Sequence, residues 1–116
     1  MAEMKRQIIA LGGGGFTAIP QNLALDRYSV SHARTTRPAV CFLGAATGDS
    51  PMYIAKFYAA YAGLGCTPSH LPLFERTPNL RETLLRQDVI YVGGGNTKSM
   101  LAVWRDWGIP EILREA

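Results

Sequence analysis

The stretch Asp88-Val89-Ile90-Tyr91-Val92-Gly93-Gly94-Gly95-Asn96-Thr97 decides how the chain is read. Val-Ile-Tyr-Val is an unbroken run of β-branched and aromatic residues, the composition of a strand covered on both faces, and three glycines then stop it abruptly. Asn96 suits a helix cap, and Met100, Leu101 and Trp104 follow at helical spacing, so a helix is expected over 98–107 with Gly108 beyond its end. Buried strand, glycine turn and amphipathic helix make up the repeating unit of a parallel sheet flanked by helices.

The same unit recurs on moving outward. Upstream, Thr77-Pro78 opens a helix that turns Leu80, Leu84 and Leu85 inward, and residues 66–74 read as a strand whose Pro68 and Pro72 suit a sheet edge. Further back, Ala39-Val40-Cys41-Phe42-Leu43 is a second continuous strand, leading into Gly44-Ala45-Ala46-Thr47-Gly48-Asp49. Ser50 as cap and Pro51 at the first helical position then introduce a helix carrying Ile54, Phe57, Tyr58 and Tyr61 on one face, ended by Gly63 and Gly65. A helix is expected over 23–33, after Pro20 and before Pro38. A first strand is expected over 7–11, stopped by Gly12 to Gly15. Downstream of Gly108, Ile109-Pro110 begins a short further helix, too short to stand without a tertiary partner. The expectation is therefore one α/β domain over residues 1–116, a three-layer α/β/α sandwich on a mostly parallel sheet of flavodoxin-like type.

Composition agrees and removes several classes. The 116 residues are 47% hydrophobic and 18% charged with a formal charge of +3, which supports a core and excludes a disordered chain. Two cysteines, Cys41 and Cys66, have neither redox nor zinc spacing and read as buried thiols. No apolar run approaches the ~20 residues of a membrane span, and the run after Lys5 and Arg6 is too short for a signal peptide, so no membrane role and a cytoplasmic location are expected. Basic residues are not interleaved with aromatics, so no nucleic-acid partner is expected.

In such sheets ligands bind beyond the carboxyl ends of the strands, which directs attention to three loops. Gly12 to Gly15 lacks the Gly-Lys-Ser/Thr of a phosphate loop and the spacing of a dinucleotide fingerprint. Thr47-Gly48-Asp49-Ser50 can face an anion or simply cap a helix. Gly93 to Thr97 is the most informative, because three successive glycines between strand and helix can present several N–H groups to one point, as an oxyanion hole requires. All three also serve as ordinary strand-to-helix turns. No serine lies in a G-x-S-x-G elbow, His32 and His70 have no visible carboxylate partner, and no cluster has metal-ligand spacing; neither cofactor nor metal is expected.

The assembled motifs resemble the peptidase E family of serine peptidases, which includes the α-aspartyl dipeptidases. The carriers are Ile8 to Gly14, Leu25-Asp26-Arg27-Tyr28, Thr47-Gly48-Asp49-Ser50, Val89 to Thr97 and Met100-Leu101-Ala102-Val103-Trp104, in order along the chain. The resemblance covers the amino-terminal half of that family. It implies a sandwich related to class I glutamine amidotransferases, and hydrolysis of dipeptides or short peptides, including those with amino-terminal Asp, by a Ser-His-Asp/Glu set. It implies an oxyanion-hole role for Gly95, with Gly94 beside it, Asn96 and Thr97 supporting the loop, and Gly13, Gly14, Asp49 and Ser50 on the rim of the site. By the same layout the nucleophile elbow would fall roughly ten residues past Ala116 and the other catalytic groups further on. The chain is thus expected to be the truncated front of a peptidase, with no catalytic residue of its own and no activity alone. Two further readings stand beside it: a small flavodoxin-like module that binds an anionic or phosphate-bearing ligand at its glycine loops, and a homo-oligomer formed through an exposed sheet edge.

Overall fold

A computed structural model describes residues 6–12, 15–16, 21–76 and 79–116. Gly13, Gly14, Pro20, Thr77 and Pro78 lie outside the described residues. The elements are α1 (Ala24–Val30), β1 (Ala39–Leu43), a short 3-10 turn (Ala45–Thr47), α2 (Pro51–Gly63), β2 (Thr67–His70), α3 (Leu80–Leu85), β3 (Val89–Val92), α4 (Thr97–Trp107) and α5 (Ile109–Glu115).

The three strands form a parallel sheet in the order β2-β1-β3. Ala39 to Phe42 pair with Thr67 to His70 on one side, and Val40 to Leu43 pair with Val89 to Val92 on the other. The central place of β1 explains its unbroken apolar sequence. Successive side chains point to opposite faces, and both faces are covered. Val40 and Phe42 pack with Phe16, Phe57, Tyr61 and Cys66 on the side of α2, while Cys41 and Leu43 pack with Leu84, Met100, Trp104 and Ile109 on the side of α3, α4 and α5. The result is an α/β/α sandwich with the sheet in the middle, as expected for a flavodoxin-like fold. Each large side chain fully buried here contributes about 1.5–3 kcal/mol of hydrophobic stabilisation.

The helix ends follow from local chemistry. The α2 helix closes in a Schellman arrangement, with Cys66 N–H donating to Tyr61 C=O and Gly65 N–H to Ala62 C=O, made possible by Gly65 at φ 78°. The short α5 is held by tertiary contact: Ile109 is fully buried, Ile112 and Leu113 pack on the core, and Arg81 of α3 pairs with Glu115.

Several sequence expectations are corrected. The sheet has three strands among the described residues, because 7–11 forms no ladder; Ile8 is 98% exposed and Ile9 is also exposed. The segment pairs with neither of the sheet's two open sides, the outer edges of β2 and β3. The strand expected over 66–74 is shorter, Thr67–His70, and lies at an edge as its prolines require. Helix α3 starts later than Thr77-Pro78, since the Asn79 side chain accepts from Glu82 N–H at 3.1 Å and fixes the first turn there. Ser50 does occupy the N-cap of α2, yet its side chain makes no capping hydrogen bond; the following Pro51 instead presets the helical φ.

Candidate active site

Strands β1 and β3 lie side by side, and their following helices turn to opposite faces of the sheet: α2 to the aromatic side, α4 to the aliphatic side. Such a reversal opens a crevice at the carboxyl end of the sheet. Phe42 sits beneath it. A Cβ on Gly44 or Gly93 would come within 2.9 Å of the Phe42 ring, so both turns begin with glycine because a ring fills the space between them.

The two turns are joined by Ala46. Its carbonyl accepts the Asn96 N–H at 2.8 Å, and a Cβ on Gly95 would lie 2.4 Å from the same oxygen. Gly95 adopts φ 145°, a conformation L side chains rarely take, so glycine is required on two grounds. Gly93 N–H donates to Leu43 C=O at 3.1 Å, continuing the ladder by one residue. Asn96 then caps α4, its side-chain oxygen accepting from Ser99 N–H at 3.0 Å, and Thr97 begins the helix. Gly94 and Gly95 are exposed, and their N–H groups make no hydrogen bond among the described residues. Two free backbone donors thus stand at the amino end of an eleven-residue helix, whose dipole favours negative charge.

On the other wall Asp49 has φ 57°, a left-handed backbone, and its Oδ2 accepts the Leu73 N–H at 2.7 Å. The loop after β1 is thereby tied to the loop after β2. Ser50 lies beside it, partly buried. Gly94, Gly95, Asn96 and Thr97 thus follow the carboxyl end of β3, and Asp49 and Ser50 that of the adjacent β1, the two loops being joined at Ala46; Gly13 and Gly14 lie outside the described residues.

Sequence reasoning missed several participants. Ala46 is decisive through its backbone carbonyl, which leaves no side-chain signature. His70 is paired with a phenol, its Nδ1 lying 2.8 Å from Tyr58 Oη. Burial raises the Tyr58 phenol above its ordinary value, with Cys41 adding to the rise and the His70 bond opposing it. Asp26 is fully buried, accepts from Tyr61 Oη at 2.7 Å through Oδ1, and leaves Oδ2 without a partner. The acid lies beneath the loop of Gly15 and raises two phenols: burial foremost, then Asp26, pushes Tyr91 up to about 12, and Tyr61 is raised more strongly for the same reasons. Its place in the quoted Leu25 to Tyr28 motif was the available signal. Both cysteines are free and buried, and burial raises both thiols, which makes them poor nucleophiles at neutral pH. Among the described residues no group of three or more His, Cys, Asp or Glu is placed to hold a metal, and no helix is long and apolar enough to cross a membrane.

Comparison with known proteins places the chain in a family. The sequence model of Peptidase family S51 matches residues 8–116. The chain belongs to this family. It is also 50% identical over 112 residues to a protein of Bacillus subtilis (strain 168) named as the uncharacterized peptidase YgaJ, a match covering 96% of this chain and 49% of that relative. The chain thus spans about half the length of the curated relative it matches. No solved structure matches significantly. Membership in peptidase family S51 supports a peptidase-type function and agrees with the α/β sandwich described above.

Proposed function

We propose that these residues form the oxyanion-binding part of a serine peptidase that hydrolyses dipeptides or short peptides. The observation that carries this reading is the pair of unpaired N–H groups at Gly94 and Gly95, anchored against Ala46 at the crevice between β1 and β3. Preorganised amide donors of this kind stabilise the negative oxygen that develops when a carbonyl is attacked. The attacking group comes from outside this sequence, which contains no G-x-S-x-G. Among the described residues no serine hydroxyl is hydrogen-bonded to a histidine, so the chain alone is expected to be hydrolytically silent. Family membership lends no support to a stand-alone flavodoxin-like binding module.

The test has two arms. The purified 116-residue chain incubated with aspartyl-leucine gives no hydrolysis above the buffer rate; turnover abolished by a serine-directed inhibitor would overturn that expectation. In a chimera carrying this chain in place of the matching half of the Bacillus relative, Gly95→Ala keeps the N–H but its Cβ, pressed against the Ala46 carbonyl, moves that donor out of place, and kcat falls by about 10²–10³ with a smaller change in KM. A folded chimera that keeps its kcat after this substitution sinks the oxyanion assignment.

A further inference from the structure

Asp26 is fully buried and takes no direct part in the oxyanion site. Its Oδ1 accepts from Tyr61 Oη at 2.7 Å, and its Oδ2 has no partner among the described residues. A buried acid bonded through one oxygen only costs stability, so packing by itself gives no reason for an acid at this place. What the acid does hold is the hydroxyl end of Tyr61. From that ring a stack runs to the floor of the crevice. Tyr61 lies on Phe57 with centroids 4.7 Å apart and planes 25° from parallel, and Phe57 lies on Phe42 at 5.0 Å and 22°. Phe16 meets all three rings edge-on, at 5.9 Å from Tyr61 and Phe57 and 6.1 Å from Phe42.

The stack ends on the ring that both glycine turns rest against. Phe42 comes within 2.9 Å of where a Cβ on Gly44 or on Gly93 would stand, and Gly93 is followed directly by the two free donors. Tyr61 and Phe57 are one turn apart on α2 while Phe42 belongs to β1, so the stack fixes the helix against the strand beneath the crevice. All four rings are buried, and a close-packed interior passes on a displacement because it has no void to absorb it. We propose that Asp26 is a positioning residue for peptide hydrolysis, holding Tyr61 so that the ring stack keeps Phe42, and the turn above it, where Gly94 and Gly95 receive the oxyanion. The inference rests on the peptidase reading and deepens it, since displacing a donor by about 1 Å can cost about 10²-fold in rate. The role requires an acceptor oxygen at position 26 and no charge.

The test compares Asp26→Asn, which keeps an oxygen for Tyr61 Oη, with Asp26→Leu, which does not, and with Tyr61→Phe, which removes the hydroxyl and leaves the ring. In 15N-edited NMR spectra of the 116-residue chain, Asp26→Leu and Tyr61→Phe are expected to shift the amides of Gly44 and of Gly93 to Gly95, and Asp26→Asn to leave them in place. In the chimera, Asp26→Leu and Tyr61→Phe each lower kcat about tenfold with KM changed less than about twofold, and the double variant is no worse than either alone. Asp26→Asn restores kcat to within about twofold of the parent chimera. Where Asp26→Leu does not fold, Tyr61→Phe carries the same comparison. Unchanged turn amides and kcat in Tyr61→Phe, a lowered urea midpoint with kcat unchanged per folded molecule, or Asp26→Asn as damaging as Asp26→Leu each overturn the positioning role and leave the peptidase reading standing. A parent chimera without peptidase activity overturns both.

Discussion

The turns after β1 and β3 look alike in sequence and differ in what their backbone donors do. In Gly44 to Asp49 the last three N–H groups are consumed internally, Thr47 and Asp49 both donating to Gly44 C=O and Gly48 to Ala45 C=O, and the remainder of the turn is out of reach of solvent. Gly44, Ala45 and Ala46 are buried, and the turn packs as part of the core. In Gly93 to Asn96 the first and last N–H groups are bonded, to Leu43 and Ala46, while those of Gly94 and Gly95 between them stay free and exposed. Glycine content therefore does not distinguish a structural turn from an anion site. Unpaired backbone donors that are also exposed do, because an exposed N–H near a helix start is available to a ligand.

The substitution that tests this contrast most severely is Gly95→Ala. The added Cβ meets the Ala46 carbonyl and the backbone sits at φ 145°, so the two turns must separate. A loss of about 3 kcal/mol is expected from strain and overpacking together, read as a lower urea midpoint at unchanged m-value. Gly94→Ala is the control on the same turn. A Cβ there meets nothing within 4 Å, so stability should change by less than about 0.5 kcal/mol. If both variants unfold alike, the joint at Ala46 does not hold the turns together.

On the closed turn the corresponding probe is Asp49. Asp49→Ala removes the carboxylate that accepts from Leu73 N–H and keeps a left-handed backbone, costing about 2–3 kcal/mol. Asp49→Gly loses the same bond but relieves the backbone, so it should be about 1 kcal/mol more stable than the alanine variant. The reverse order would show that the φ of 57° carries no strain.

Beneath the open turn, the state of Tyr91 reports whether the floor is dry. Its phenol is pushed from 10 up to about 12, by burial first and by Asp26 second, so the folded state favours the neutral form. The stabilisation is fully present below pH 10 and is lost as pH rises through about 12. The difference between ultraviolet titrations of the folded chain and of Tyr91→Phe should show the lost phenol ionising late, near 12, with stability falling across that window. If the phenol lost in Tyr91→Phe titrates near 10 instead, water reaches Asp26.

Much of the fold was legible because the central strand is apolar on both faces and glycine and proline mark where helices start and stop. Ala39 to Leu43, the helix after Pro51 and the Asp88 to Thr97 segment each combine a period with a stop signal. The strand expected over 7–11 is not formed although both outer edges of the sheet are open and Ile8 and Ile9 stay exposed, so an apolar run by itself specifies neither burial nor a pairing partner. The glycine donors were legible as candidates, but their partner was not. Ala46 acts through a carbonyl that any residue could supply, and Asp26 is buried against Tyr61, Tyr91 and the Gly15 loop, from three other places in the chain.

Asn96 gives the smallest effect and the finest separation of roles. Its side chain caps α4 through Ser99 N–H, so Asn96→Ala should cost about 1 kcal/mol. Asn96→Asp keeps an equally good cap and gains from the helix dipole, so it should leave the urea midpoint within about 0.5 kcal/mol of the parent. Yet it places a fixed carboxylate one residue from the free donors of Gly95. If those donors receive a developing oxyanion, the added charge competes for the same field, and kcat of the chimera should fall about tenfold or more while stability holds. If instead the turn only starts a helix, as the turn after β1 does, the aspartate variant should match the parent in both respects, and the contrast between the two turns would have no functional meaning.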